Sequence, residues 1–254
     1  MRIREGGPAK LGVMPVSARS RALPALVGLP VLLFALITWQ VVADGPLVGV
    51  DERLSGALVH PDRISELLSD LGNVQVAVPV LVVALVYAAW HGRASGVDRW
   101  WVPPLAGVVA MALVPALVAP LKEWTDRPGT PAVPPAVGYY PSGHTATAVV
   151  AYGTAALLLF PLLRSPAVRR TLVVLCAVLV LGTSYGLVRR GYHWPLDVVA
   201  SWCLGVVLLA GVRLAARRNP DGSRTPDDGR TPPGVSRSTR RSSSGTPSSS
   251  SGPS

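Results

Sequence analysis

Pro141–Leu163 reads PSGHTATAVVAYGTAALLLFPLL. A short polar turn runs straight into positions 145–163, which contain no Asp, Glu, Lys, Arg or His. A run of that length is about what an α-helix needs to cross the hydrocarbon of a bilayer. Outward from it, four more stretches are equally free of charge: 22–43, 71–90, 100–121 and 171–188. A sixth, 198–212, follows Asp197 and reaches spanning length when counted from near Trp194.

The composition agrees. Of 254 residues, 49% are hydrophobic and only 15% charged, with a mean hydropathy of +0.40. A soluble domain carries roughly 25% charged residues. One such run could be the buried helix of a soluble protein, but six in succession exclude that class. The expected fold is all-α: a six-transmembrane-helix bundle over residues 22–216, preceded by a basic segment 1–21 and followed by a tail 217–254. Pro30, Pro79 and Pro115 fall inside runs and are read as kinks, since neighbouring helices can re-satisfy the freed backbone groups. The first run is too long and too far from the N-terminus for a signal peptide, so it is expected to remain as an uncleaved span. Cys176 and Cys203 lie within spans and read as small apolar residues, not as a disulfide or metal site. From about Arg217 the chain turns to Ser, Pro, Gly, Thr, Arg and Asp. Such a segment cannot bury enough surface to fold and is expected to be disordered.

Basic residues give the expected orientation. Eighteen of the 24 Lys and Arg fall in segments that share one side of a six-span chain: the N-terminal segment, the loops near 91–99 and 164–170, and everything from Arg213 onward. Arg53, Arg63, Lys122, Arg127, Arg189 and Arg190 fall on the other side. The positive-inside rule then makes both termini cytoplasmic and turns the second group outward. Trp39, Trp90, Trp100, Trp101, Trp124 and Trp194 sit near span ends, where an amphipathic ring is comfortable. Residues 45–70 mix acidic and apolar positions and read as short amphipathic helices on the outer surface, split at Pro61, or else as a solvated loop; a partial lid over the lipid entry is the sharper form of the first reading.

Three polar pieces fall on the outward face. They are Lys122-Glu-Trp-Thr-Asp-Arg127-Pro128, Pro141-Ser142-Gly143-His144 and His193-Trp-Pro-Leu-Asp197. Ser142, after a proline and before an apolar run, reads as an N-cap. Gly143 and His144 then occupy a first helical turn whose free N–H groups make an anion site. Pro195 suits the first turn of a helix, which puts His193 at its mouth and Asp197 inside it. A carboxylate there can fix the imidazole tautomer and steady the imidazolium, freeing the other ring nitrogen to attack phosphorus. Lys122 alone would read as a snorkelling anchor. Its sharing a face with Arg127 and both histidines makes it a candidate phosphate ligand.

This order of motifs on six spans resembles the type 2 phosphatidic acid phosphatase superfamily over roughly residues 50–210. Those proteins are integral membrane lipid phosphatases, related in fold to soluble vanadium haloperoxidases. The resemblance implies that His193 is the nucleophile of a phosphohistidine mechanism, that Asp197 orients it, and that His144 protonates the leaving oxygen. It further implies that Lys122, Arg127, Ser142 and the Gly143 N–H hold the phosphoryl oxygens. No cofactor or metal is implied, in keeping with the lack of a carboxylate cluster for Mg²⁺ beside these residues. Two departures stand out. The family usually places six residues between its lysine and Arg-Pro; here there are four, and Gly129 occupies the usual arginine position. Arg127 is expected to substitute. The Ser-Arg pair usual before the nucleophile falls on Gly186 and Leu187. Arg189 and Arg190 stand close by as candidate phosphate ligands in its place, and on a continuing helix Arg190, the better of the two, would lie one turn before His193.

The expected partners are the bilayer and a lipid phosphate or pyrophosphate, with no nucleic acid and no oligomeric state specified. Substrate candidates are polyprenyl pyrophosphate, phosphatidic acid, phosphatidylglycerol phosphate and a polyprenyl-linked sugar phosphate. Two alternatives remain at this level. One is a non-catalytic lipid-phosphate binding or transport protein, motivated by the missing arginine. The other is haloperoxidase chemistry, which six spans oppose.

Overall fold

A computed structural model describes residues 16–217 of the chain, with side chains from Val27 onward. The expected disordered tail and the start of the basic segment lie outside the described residues. Eight helices follow in order: α1 (Val16–Val42), α2 (Pro46–Leu58), α3 (Arg63–Asp70), α4 (Val74–Ala94), α5 (Val102–Thr125), α6 (Gly143–Leu159), α7 (Pro166–Arg190) and α8 (Pro195–Arg217). A 3₁₀ turn at Phe160–Leu162 prolongs α6. No strand occurs among the described residues.

Helices α4, α5, α7, α8 and the extended α6 are each long and apolar enough to cross a membrane. A sixth candidate is bent: Val27–Val42 of α1 meets α2 at 89°. The charge-free runs thus lie on five continuous candidate spans and one bent pair of helices. Helices α1, α4 and α5 continue through Pro30, Pro79 and Pro115, so these prolines do not end them. Helix α6 is the axis of the bundle. Two thirds of its most apolar window (67%) is buried, against 22–33% for the other four, and it packs on α4, α5, α7 and α8. Small side chains such as Ala146, Ala148 and Ala151 let those neighbours close around it.

Helices α2 and α3 bury small polar residues and turn both apolar and charged ones outward, among the latter Glu52, Arg53, Arg63 and Glu66. Asp51 and Ser55 of α2, and Ser65 and Ser69 of α3, are buried, while Leu54, Leu58, Ile64 and Leu67 face outward. In a bilayer rim the apolar face has somewhere to go, and the small polar face can pack on other helices. Gly186 of α7 receives α3. A Cβ there would lie 2.6 Å from the Ser69 nitrogen and 2.7 Å from the Ser65 oxygen, so only glycine permits this backbone approach.

Asp62 locks the α3 end of this contact. Its Oδ1 caps the helix by accepting the Ser65 N–H at 2.7 Å, and its Oδ2 accepts from Arg189 Nε at 2.9 Å. The Ser65 N–H and then the Arg189 guanidinium hold its carboxyl down to about 2, below the ordinary 3.8. A depressed carboxyl contributes stability above its unfolded value and loses it as pH falls through the folded one. The melting difference between wild type and Asp62→Asn, whose amide can still cap, should therefore stay constant from about pH 7 to pH 5. It should close only near pH 2. Closure already by about pH 5 would break this account.

Candidate active site

At one end of the bundle the start of α4, the end of α5, the start of α6 and the α7–α8 turn surround a cavity of about 1120 Å³. Its walls are apolar, with Val78, Val82 and Leu85 from α4 facing Val108, Met111 and Pro115 from α5. Its polar end presents Asn73, Lys122, Tyr139, Gly143, His144 and His193. Two loops and a helix start expected to share one face of the membrane therefore do share one cavity.

The two key helix starts are tied together. Ser142 caps α6, its Oγ accepting the Thr145 N–H at 3.3 Å, and its own N–H donates to the Asp197 carbonyl at 3.2 Å. The Ser201 hydroxyl contacts the carbonyls of both Ser142 and Asp197 at 2.8 Å. Helix α8 opens at Pro195, and Asp197 in its first turn is fully buried. Its Oδ2 meets His193 Nδ1 at 3.2 Å and accepts the Trp194 N–H at 3.1 Å. That pairing leaves His193 Nε2 as the ring nitrogen without a carboxylate partner, on a ring that lines the cavity.

His144 is held differently. Its Nε2 lies 2.7 Å from Asn73 Oδ1, and Asn73 Nδ2 donates to Asp70 Oδ1 at 2.9 Å. With the amide in that orientation Asn73 offers an acceptor, so His144 Nε2 carries the proton. Lys122 donates to the Gly138 carbonyl at 2.8 Å and lies over the Tyr139 ring, which meets His193 edge-on at 5.8 Å. The 126–142 loop is pinned from outside by Tyr140, whose hydroxyl shares a 2.7 Å hydrogen bond with Thr38. Burial pushes that phenol well above its ordinary 10. Thr130 Oγ1 donates to the Gly191 carbonyl, joining the same loop to the α7–α8 turn.

The arginines lie elsewhere. Arg127 is 6% exposed and does not line the cavity. Its Nη1 meets Asp197 Oδ1 at 2.5 Å and its Nη2 meets Asp51 Oδ2 at 2.7 Å. Arg189 pairs with Asp62, while Arg190 reaches the Tyr192 hydroxyl at 3.2 Å and Glu66 at 3.6 Å. Neither lines the cavity. Helix α7 stops at Arg190 because Gly191 takes a left-handed conformation, φ +77°. Arg190 is thus not one helical turn before His193. Among the lining residues Lys122 is the one Lys or Arg, and Leu187 lines the wall where the resemblance leads one to expect arginine.

Asp51 and Asn73 are the residues that sequence reasoning passed over. Asn73 heads a span without using its side chain as a cap, which was its only local signal. Asp51 and Ser55 fall on one helical face, a polar pair that an apolar rim helix has no other reason to carry.

What this end of the bundle can hold follows from its two halves. An apolar slot between membrane helices can take a lipid chain, and its polar end offers imidazoles, an ammonium and helix N–H groups. That defines the class: an integral membrane lipid phosphatase. Comparison with known proteins narrows it. Residues 103–221 match the PAP2 superfamily. Over 184 residues the chain is 32% identical to an undecaprenyl-diphosphatase of Sulfolobus acidocaldarius, covering 70% of this chain and 74% of that one. A crystal structure of a transmembrane PAP2 type phosphatidylglycerolphosphate phosphatase from Bacillus subtilis superposes with a TM-score of 0.58. It covers 77% of this chain and 98% of its own, and at 21% identity the likeness concerns the fold. The chain belongs to the PAP2 superfamily.

Gly129 explains one departure from the motif. A Cβ there would sit 2.7 Å from the Tyr139 ring and 2.8 Å from Val133, so Tyr139 fills the place of a side chain. Gly129→Arg, which restores the family's residue, should therefore lower both phosphate release and melting temperature. A gain in phosphate release would show that the loop is free to rearrange.

Proposed function

We propose that this chain hydrolyses a phosphomonoester or pyrophosphate bond of a lipid through a phosphohistidine on His193. The observation that carries the reading is the 3.2 Å contact of His193 Nδ1 with buried Asp197, on a ring that shares its cavity with His144 and Lys122. The Nε2 lone pair attacks phosphorus, the P–O bond to the lipid breaks, and the leaving oxygen takes a proton from His144. In the second step His144 accepts a proton from water, the new oxygen bonds phosphorus, and the N–P bond breaks to release phosphate. Lys122 and the N–H groups at the start of α6, with Gly143 beside the phosphate and Ser142 shaping the cap, hold the phosphoryl oxygens. Arg189 and Arg190 could join them only by leaving Asp62 and Glu66. Arg127 acts through Asp197. These steps call on no metal.

A polyprenyl pyrophosphate is the substrate this reading favours, since a 32%-identical relative is an undecaprenyl-diphosphatase. Phosphatidylglycerol phosphate and phosphatidic acid are the competitors in a phosphate-release panel. His193→Ala should release no phosphate and carry no label. Removing one electrostatic donor typically costs about 10²–10³ in rate, and loss of the nucleophile at least as much. His144→Ala should still take up label from an aryl phosphate with a good leaving group but turn it over slowly, because water then lacks its base. Wild-type turnover in His193→Ala would sink the mechanism. Activity of the purified wild type should survive excess chelator.

The site is further proposed to face away from the cytoplasm, as the distribution of basic residues suggests. Pro135 is exposed on the 126–142 loop. In intact cells Pro135→Cys should react with an impermeant maleimide; protection until the membrane is opened would reverse the orientation.

A further inference from the structure

We propose that Asp51, on α2, is a positioning residue for the His193–Asp197 pair, acting through the buried Arg127 guanidinium. The proposal rests on the phosphohistidine reading above. Asp51, Arg127 and Asp197 are 3%, 6% and 0% exposed, and their contacts form one chain. Arg127 Nη2 meets Asp51 Oδ2 at 2.7 Å, and Nη1 meets Asp197 Oδ1 at 2.5 Å. The other Asp51 oxygen accepts the Leu196 N–H at 2.9 Å, within the first turn of α8. Asp51 therefore grips both the guanidinium and the helix start that carries Asp197. The Trp194 ring, 5.4 Å from the guanidinium carbon, covers it, and its indole N–H donates to the Pro128 carbonyl at 2.9 Å.

Charge explains why a second carboxylate is needed. A guanidinium stays charged under all ordinary conditions. Paired with Asp197 alone, it would cancel the negative charge that steadies the imidazole. Asp51 restores it. Both of its oxygens face donors, as suits an ionised carboxylate, and the three groups together leave one negative charge next to His193. When Nε2 bonds to phosphorus the ring becomes cationic while its Nδ1–H remains on Asp197 Oδ2. A buried site with little water to reorganise feels that compensation strongly. Arg127 is thereby a brace: it fixes Oδ1 so that Oδ2 stays on His193 Nδ1 and the Trp194 N–H. Asp51 does not line the cavity.

The test is single-turnover quenched flow on the full chain in detergent, with a radiolabelled polyprenyl pyrophosphate, following label on His193. Wild type should show the labelled histidine; its absence there would defeat the parent reading rather than this one. Asp51→Asn keeps shape and acceptor but loses charge. It should slow labelling by about 10- to 100-fold, the loss typical of outer partners that orient a reactive ligand, with KM unchanged. The deciding variant is the double, Asp51→Asn with Arg127→Gln, which returns the cluster to one negative charge. It should label at least threefold faster than Asp51→Asn alone. A purely structural network would make the double the slowest. That result, an unchanged labelling rate in Asp51→Asn, or a loss confined to KM, would overturn the proposal.

Discussion

Asp197 has to remain a carboxylate in a place without water, and much of the site is arranged to let it. Burying a carboxylate costs several kcal/mol unless its oxygens are met by donors. Here Oδ1 has the Arg127 guanidinium, and Oδ2 has the Trp194 N–H and His193 Nδ1. Those donors come from the loop after α5 and from the turn between α7 and α8. Satisfying one side chain therefore fixes the relative position of three segments. The Asp197 carbonyl extends the same logic, because it accepts from the Ser142 N–H and the Ser201 hydroxyl. The starts of α6 and α8 are thus joined through one residue.

The membrane shapes the periphery by the opposite rule. On α2 and α3 the small polar residues face in, while Leu54, Leu58, Ile64 and Leu67 face out beside the exposed charges of Glu52, Arg53, Arg63 and Glu66. The boundary between bilayer and water accommodates such a mixed face. It allows Asp51 and Ser69, residues that look solvent-bound in a linear reading, to be directed at the bundle. Gly186 then matters as a place where α3 can lie against α7 backbone to backbone. Through that contact Ser69, Asp70 and Asn73 come to border the cavity.

The spans were legible because hydrocarbon excludes charge, and a chain that folds in water seldom keeps about 20 residues in a row free of it. The cap at Ser142, the helix start at Pro195 and the His193–Asp197 spacing were legible because each depends on four or five consecutive residues. The fate of Arg127 was not. Its position two residues before Gly129 invites a phosphate contact, while its partners Asp51 and Asp197 lie 76 and 70 positions away. Nothing local announces them. Asn73 was hidden for a related reason, being counted into a charge-free run whose apolar neighbours dominate. The helical continuation from Arg190 to His193 failed on a single dihedral, the positive φ of Gly191.

On the proposed function, a lipid chain entering the α4–α5 slot leaves one apolar medium for another. The hydrophobic effect that would drive such burial from water is nearly absent, as it is for helices associating within a bilayer. The slot can select by width and by the packing of Val82, Val108 and Met111, but it supplies little affinity. Recognition must then come from the head group, where Lys122 is the one Lys or Arg lining the cavity. The remaining donors are the N–H groups at the start of α6, and a helix N-terminus acts as roughly half a positive charge. A site so sparing of mobile cations owes its grip to backbone that cannot rearrange. On the proposed mechanism, the ties between Ser142, Ser201 and Asp197 therefore set the geometry for both phosphate binding and attack.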